Sequence, residues 1–197
     1  MIGRRDDEAN GGDVKICLDP GHGGADVGAV GPTGLRESEA ALQISKYVRR
    51  GILDCGWDVF CTRSDDRFIE LDGRCQIAAS DGAEFFLSIH CNAFSNAAAH
   101  GYEVWTSVGQ TAADPIAEKL FNSIGAAFPN LTPRADKTDG DSDKEAGFKV
   151  LVGCEAVEIP AVLVETAFIS NMIEERWLRD VGWKMRMAGA IVSGLRR

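Results

Sequence analysis

Apolar and polar positions change period repeatedly along this chain, and each change marks an element. Val14–Asp19 is a short apolar run halted by Pro20-Gly21, the pattern of a buried strand entering a turn. From Gly21 to Gly34 glycine recurs without periodicity, so this stretch reads as an open loop. Ala41, Leu42, Ile44, Val48 and Ile52 then fall at helical spacing and predict a helix over Glu37–Leu53. Trp57–Thr62 alternates as a half-buried strand, and Leu71–Ala79 reads as a second helix with Asp72 as its N-cap. Phe85–His90 and Gly101–Thr106 predict two further strands. Ile116, Leu120, Phe121 and Ile124 share one face of a helix over Ala112–Phe128, stopped by Pro129. Beyond an acidic loop at Asp136–Glu145, a short strand is expected at Val150–Val152 and a buried one at Ala161–Glu165. Asn171–Leu195 reads as helix in two pieces, broken near Gly182.

Strands alternating with helices predict a single α/β domain. Its central sheet, mainly parallel or mixed and of about five to six strands, is expected to carry helices on both faces. The predicted organisation is a flexible polar leader at residues 1–13 followed by one domain over 14–197.

Composition narrows the function. With 21 Lys+Arg against 30 Asp+Glu the net charge is −9, which opposes general nucleic-acid binding because that requires a basic footprint. No apolar run approaches the ~18–20 residues needed to span a bilayer, so no membrane insertion is expected. Residues 1–13 are polar and lack an apolar core, so no signal peptide is visible. The 6 cysteines contain no CxxC pair and read as free, mostly buried thiols made in a reducing compartment.

The chain has 3 histidines, His22, His90 and His100. His22 follows the first predicted strand in Asp19-Pro20-Gly21-His22-Gly23-Gly24, and His90 ends another strand. In helix-flanked sheets, ligands gather at the carboxyl ends of strands, where the loops open. Two imidazoles and a carboxylate meeting there suit zinc, and three protein ligands leave a fourth position for water. Glu37, opening a helix, and Glu165, ending a buried strand, suit the remaining roles of ligand and proton carrier. A loop histidine taken alone is more often a surface residue; it is the coincidence at strand ends that raises the metal reading.

Five segments occur in order: LDPGHGGADVGAVGPTGLRESEAAL (Leu18–Leu42), TRSDDRFIELDGRCQIA (Thr62–Ala78), FFLSIHCNAF (Phe85–Phe94), GYEVW (Gly101–Trp105) and PAVLVETAFISN (Pro160–Asn171). Together they resemble the zinc-dependent N-acetylmuramoyl-L-alanine amidases of the type-3 family, which include cell-separation amidases, spore-cortex enzymes and phage endolysins. The resemblance implies a catalytic domain over 14–197 that binds Zn2+ through His22, Glu37 and His90. It implies Glu165 as the catalytic general base and acid. Glu39 is the rival to Glu37, and the match of GLRE favours Glu37. The implied reaction is hydrolysis, by zinc-activated water, of the amide joining the lactyl group of N-acetylmuramic acid to L-alanine. The implied partner is peptidoglycan, acted on by a monomer at the bacterial wall, in the periplasm or outside the cell. Arrival there is expected either by release from the cytoplasm, as for an endolysin, or as a fragment of an exported protein.

Other residues have plainer readings. Arg63 and Arg74 fit structural ion pairs, His100 an exposed loop, and Asn92 a ligand-orienting or peptide-contacting role. Asp139, Asp141 and Asp143 alternate as in a calcium loop, but Lys144 stands where an EF-hand needs glycine, so a solvated acidic loop is expected. Arg176, Arg179, Lys184, Arg186, Arg196 and Arg197 read as the cationic face of a terminal helix. The stretch between Trp105 and Val150 is too short for a long helical plug, so an open site is expected. Two alternatives remain: a cysteine-dependent wall peptidase using Cys91 or Cys17, and a non-catalytic wall-binding protein on the same fold.

Overall fold

The structure, a computed structural model, describes residues 14–137 and 140–196; the leader at 1–13, Asp139 and Arg197 lie outside the described residues. In chain order the elements are β1 (Lys15–Pro20), α1 (Glu37–Asp54), β2 (Asp58–Cys61), α2 (Leu71–Ser80), β3 (Phe85–Asn92), β4 (Glu103–Thr106), α3 (Asp114–Ala127), β5 (Lys144–Glu145), α4 (Lys149–Glu155), β6 (Ala161–Phe168), α5 (Met172–Arg179) and α6 (Val181–Arg196). The strands form one six-stranded sheet in the order β2-β1-β3-β6-β4-β5. Every pairing is parallel except β4 with β6.

The central strands are mostly apolar, with polar residues gathered toward their carboxyl ends, because helices cover both faces of the sheet. Ile16, Leu18, Leu87, Ile89, Val162 and Val164 point to one face and pack with Ile44, Val48 and Ile52 of α1, Leu120 and Ile124 of α3, and Ile191 of α6. Alternate residues Cys17, Phe86, Ala161 and Leu163 point to the other face and meet Cys75 and Ala78 of α2 and Val150, Leu151 and Cys154 of α4. The two-residue period of a strand therefore assigns His90 and Glu165 to the α2–α4 face, in step with Phe86 and Leu163. Among the described residues no helix is long and apolar enough to cross a membrane.

The structure corrects several expectations. Val150–Val152 belongs to helix α4, where Val150, Leu151 and Cys154 share a buried side; a run of three apolar residues carries too little periodicity to separate strand from helix. The final helix is in two pieces broken near Gly182, as expected, and the break falls at Asp180, which leaves helical backbone and whose Oδ1 accepts Trp183 N at 2.7 Å, capping α6. Asp72 is not a cap; it lies inside the first turn of α2 and pairs with Lys149 Nζ at 2.9 Å. The acidic loop ends in β5, an edge strand parallel to β4. Of the described basic residues at this end, Arg179 bonds to Thr33 and Glu175, Lys184 is buried against Gln43, and Arg186 stacks on Phe128, so these three do not share a solvated face.

Candidate active site

β1 delivers its loop to the carboxyl edge of the sheet, and a buried charge pair holds it there. Asp19, wholly buried, accepts Arg74 Nη1 at 2.8 Å, Thr62 Oγ1 at 2.6 Å and Ser88 Oγ at 2.8 Å. Arg74 also donates to the carbonyls of Pro20 at 3.0 Å and His22 at 2.8 Å. Arg63 binds the carbonyls of Pro20, Gly21 and Ser38, tying the loop to the start of α1. Arg74 thus has the expected ion pair, whereas Arg63 acts through carbonyls. Glu175 of α5 receives Thr33 N, Thr33 Oγ1 and Leu35 N, which pins the far end of the same loop.

This scaffold sets His22 at φ 58, a left-handed conformation uncommon outside glycine. Gly21 is required by crowding, since a Cβ there would lie 2.3 Å from His90 Cε1. His22 Nδ1 donates to Asp26 Oδ2 at 2.8 Å, leaving Nε2 at 3.1 Å from Glu37 Oε1. From β3, His90 Nδ1 reaches the same oxygen at 2.9 Å, and the two imidazole centroids stand 4.9 Å apart. Glu37 is anchored by α1, with Oε1 also accepting Cys91 N at 3.1 Å and Oε2 accepting Ala29 N at 3.0 Å. Burial opposes its ionisation, but the hydrogen bonds and charges of both histidines outweigh burial and hold the carboxyl well below the usual range. Among the described residues, His22, Glu37 and His90 are the group whose ligand atoms all lie within 4.8 Å of one another.

Glu165 stands beside them. It pairs in register with His90 across β3 and β6, and the register shifts between His90 and Asn92, an irregularity of the kind that re-aims side chains beside active sites. Its Oε2 is buried and makes no hydrogen bond. Burial first, then the charges of Glu37 and Glu103, push its carboxyl well above the usual range. A groove of about 520 Å³ runs over all four residues, walled by Phe68, Leu71 and Arg74 on one side and Phe148, Lys149 and Val150 on the other. Of the last three, Phe148 caps α4 and Lys149 and Val150 open it; the His22 side chain keeps 25% of its surface.

The other candidates separate cleanly. Glu39 is exposed and bonded to Gln43. His100 is exposed and bonded to the Ala98 carbonyl. Asn92 lines the groove and donates to Glu103. Cys91 is buried, and its thiol is raised well above the ordinary value, chiefly by burial; Cys17 is likewise raised by burial. Neither provides the thiolate a cysteine peptidase needs. The sequence reading missed Asp26, Asp19 and Glu103. Asp26 alone left a signal, an acid four residues from a histidine in a glycine-rich loop.

Comparison with known proteins agrees with this architecture. Residues 16–197 match the N-acetylmuramoyl-L-alanine amidase family. The chain is 33% identical to N-acetylmuramoyl-L-alanine amidase AmiA of Escherichia coli (strain K12), over 94% of this chain and 76% of that protein. It is 36% identical to N-acetylmuramoyl-L-alanine amidase LytC of Bacillus subtilis (strain 168), over 91% of this chain and 34% of that longer one. The solved structure of N-acetylmuramoyl-L-alanine amidase AmiC2 of Nostoc punctiforme aligns with a TM-score of 0.84 at 32% identity, covering 94% of this chain and 96% of the other. Because the match runs from β1 through α6, and sequence and fold converge on the same relatives, the chain belongs to the N-acetylmuramoyl-L-alanine amidase family.

Proposed function

We propose that the protein is a zinc-dependent peptidoglycan hydrolase that cleaves the amide between the lactyl group of N-acetylmuramic acid and L-alanine of the stem peptide. The supporting observation is one cluster: three donor atoms within 4.8 Å of one another, beside a carboxyl whose buried Oε2 has no partner. Two imidazoles and one carboxylate fit zinc better than magnesium or calcium, which prefer all-oxygen sets. His22, Glu37 and His90 would hold the ion, with Asp26 fixing the His22 tautomer so that Nε2 is left to bind. When bound, zinc supplies Lewis acidity, polarising the scissile carbonyl and acidifying water.

Glu165 moves the protons. As a carboxylate it would accept one from the attacking water, burial making it a stronger base than an exposed glutamate, and as the acid so formed it would deliver that proton to the departing alanine nitrogen, which is too basic to leave unprotonated. The open groove admits a bulky polymer, and one chain carries the whole site, so a monomer suffices. The proposed place of action is the cell wall, where the substrate lies.

Glu165→Gln tests this reading. Zinc content should stay at wild type, while release of stem peptide, identified by mass spectrometry of digested peptidoglycan, should fall about 10²–10⁴-fold. Retained turnover, or loss of zinc from that variant, would overturn the assignment.

A further inference from the structure

Two thiols meet between the helices that wall the groove, and the proposed reaction uses neither. Cys75 lies on α2 and Cys154 on α4, and both are buried. Cys154 Sγ donates to Cys75 Sγ at 3.2 Å, and Cys75 Sγ donates to the Val150 carbonyl at 3.2 Å. Among the described residues this is the one hydrogen bond between two cysteine sulphurs. The helix crossing itself brings them together. A Cβ placed on Gly153 would stand 2.8 Å from Cys75 Sγ and 3.6 Å from Cys75 Cβ, so glycine at this position is what lets α4 come so near. That approach falls within the range of about 3.5–4.5 Å found between the Cβ atoms of a disulfide.

The pair connects both walls. Cys75 follows Arg74, which lines one wall and donates to the His22 carbonyl, and Cys154 lies one helical turn beyond Val150, which lines the other. At their first turns the same helices are joined by Lys149 and Asp72, whose side chains are 60% and 66% exposed. An ion pair so open to solvent contributes little. Packing of Ala78, Val150 and Leu151 therefore carries the contact between the helices. Burial ordinarily leaves a cysteine inert, but the hydrogen bond from Cys154 outweighs burial and brings the Cys75 thiol below its ordinary value. Cys17 of β1, in the same apolar core, is the rival partner.

We infer that Cys75 and Cys154 are a modification site, oxidised by an external disulfide to a bond that staples α2 to α4 and fixes the spacing of the groove walls. The Cys75 thiolate attacks one sulphur of the external disulfide, forming a mixed disulfide and releasing the first thiolate. The Cys154 thiolate then displaces the second. Two electrons pass to the external disulfide, and the two protons lost by the cysteines go to the two thiols released. The new bond joins positions 79 apart, and a long closed loop restricts the unfolded chain most. The cell-wall setting, which rests on the amidase reading, lies outside the reducing cytoplasm, where disulfides do not persist. The pairing itself stands without that reading.

The experiment equilibrates the folded full chain with mixtures of reduced and oxidised glutathione. A second sample is refolded from urea in the same mixtures, so that burial shields neither sulphur. Remaining thiols are alkylated, and digestion with trypsin and chymotrypsin followed by mass spectrometry should find the Cys75 and Cys154 peptides crosslinked. Tm should rise about 4–16 °C on oxidation and return with dithiothreitol. Backbone amides of α4 should exchange with deuterium about tenfold more slowly in the oxidised form. Cys75→Ala and Cys154→Ala should each abolish the Tm rise; if either fails to fold, the wild-type crosslink still decides. No crosslink in either sample, pairing of either sulphur with Cys17, or a crosslink that moves Tm by under about 2 °C would overturn the staple. Failure of the protein to cleave peptidoglycan would overturn the amidase reading and leave the staple standing.

Discussion

Asp19→Asn isolates the buried charge pair that supports the His22 loop. The substitution keeps the shape of the side chain and one carbonyl oxygen but removes the negative charge facing Arg74, whose side chain is 2% exposed. Breaking a buried ion pair from one side costs about 3–5 kcal/mol, because the remaining charge has lost its counter-ion. Arg74 still reaches the carbonyls of Pro20, His22 and Ile69 in this variant, which places the expected cost at the lower end, about 3 kcal/mol. For a domain of this size about 2–4 °C of Tm accompanies each kcal/mol, so Tm should fall roughly 6–12 °C. Thermal and urea unfolding should be run on metal-free protein, since an ion bound only to the folded state would add its own stabilisation. A cycle with Arg74→Met separates the pair from the rest of the site. The double variant should be less destabilised than the sum of the singles by about 1 kcal/mol or more. Additivity within about 0.5 kcal/mol, or a Tm loss under about 2 °C, would refute the view that this pair carries the loop.

Three further outcomes follow from the geometry. Gly21→Ala puts a methyl group where the His90 ring stands, so zinc affinity, read by competition with a chromophoric chelator, should drop about 10–100-fold; wild-type affinity would show that the ring has room to yield. Cys91→Ala keeps the backbone N–H that Glu37 uses and should leave kcat within about twofold, whereas a loss beyond about 100-fold would restore the thiol reading. Asp143 is buried, and burial together with the charges of Asp141 and Asp114 pushes its carboxyl up to about 7 from 3.8. An acid whose pKa rises on folding holds its proton more tightly in the native state, so its contribution to stability declines as pH rises from about 4 through about 7. Asp143→Asn, which retains an acceptor for Thr106, should flatten that decline in urea-unfolding series across this range, and an unchanged slope would refute it.

Much of the architecture was legible from local pattern. Strands such as Phe85–His90 and Ala161–Glu165 have continuous apolar runs because both faces of the sheet are covered, and helix α1 shows its buried stripe plainly. The candidate cluster was legible in part: His22 follows one strand and His90 ends another, while the resemblance to the amidase family, not spacing, picked Glu37 as ligand and Glu165 as proton carrier. Where the signal was short or bifunctional, the reading failed. Val150–Val152 is too brief to show a period, so it read as a strand where it is helix.

Sequence alone thus determined which segments become strands and helices, since that depends on neighbours within one or two turns, and it supplied the residue types for a metal centre. Tertiary structure alone decided which of those side chains meet. Asp19 finds Arg74 across 55 positions, Glu37 finds His90 across 53, and Glu103 stands opposite Glu165 through the one antiparallel pairing in the sheet. Such encounters depend on strand order and register, which place distant residues a strand's width apart, and no local pattern encodes them.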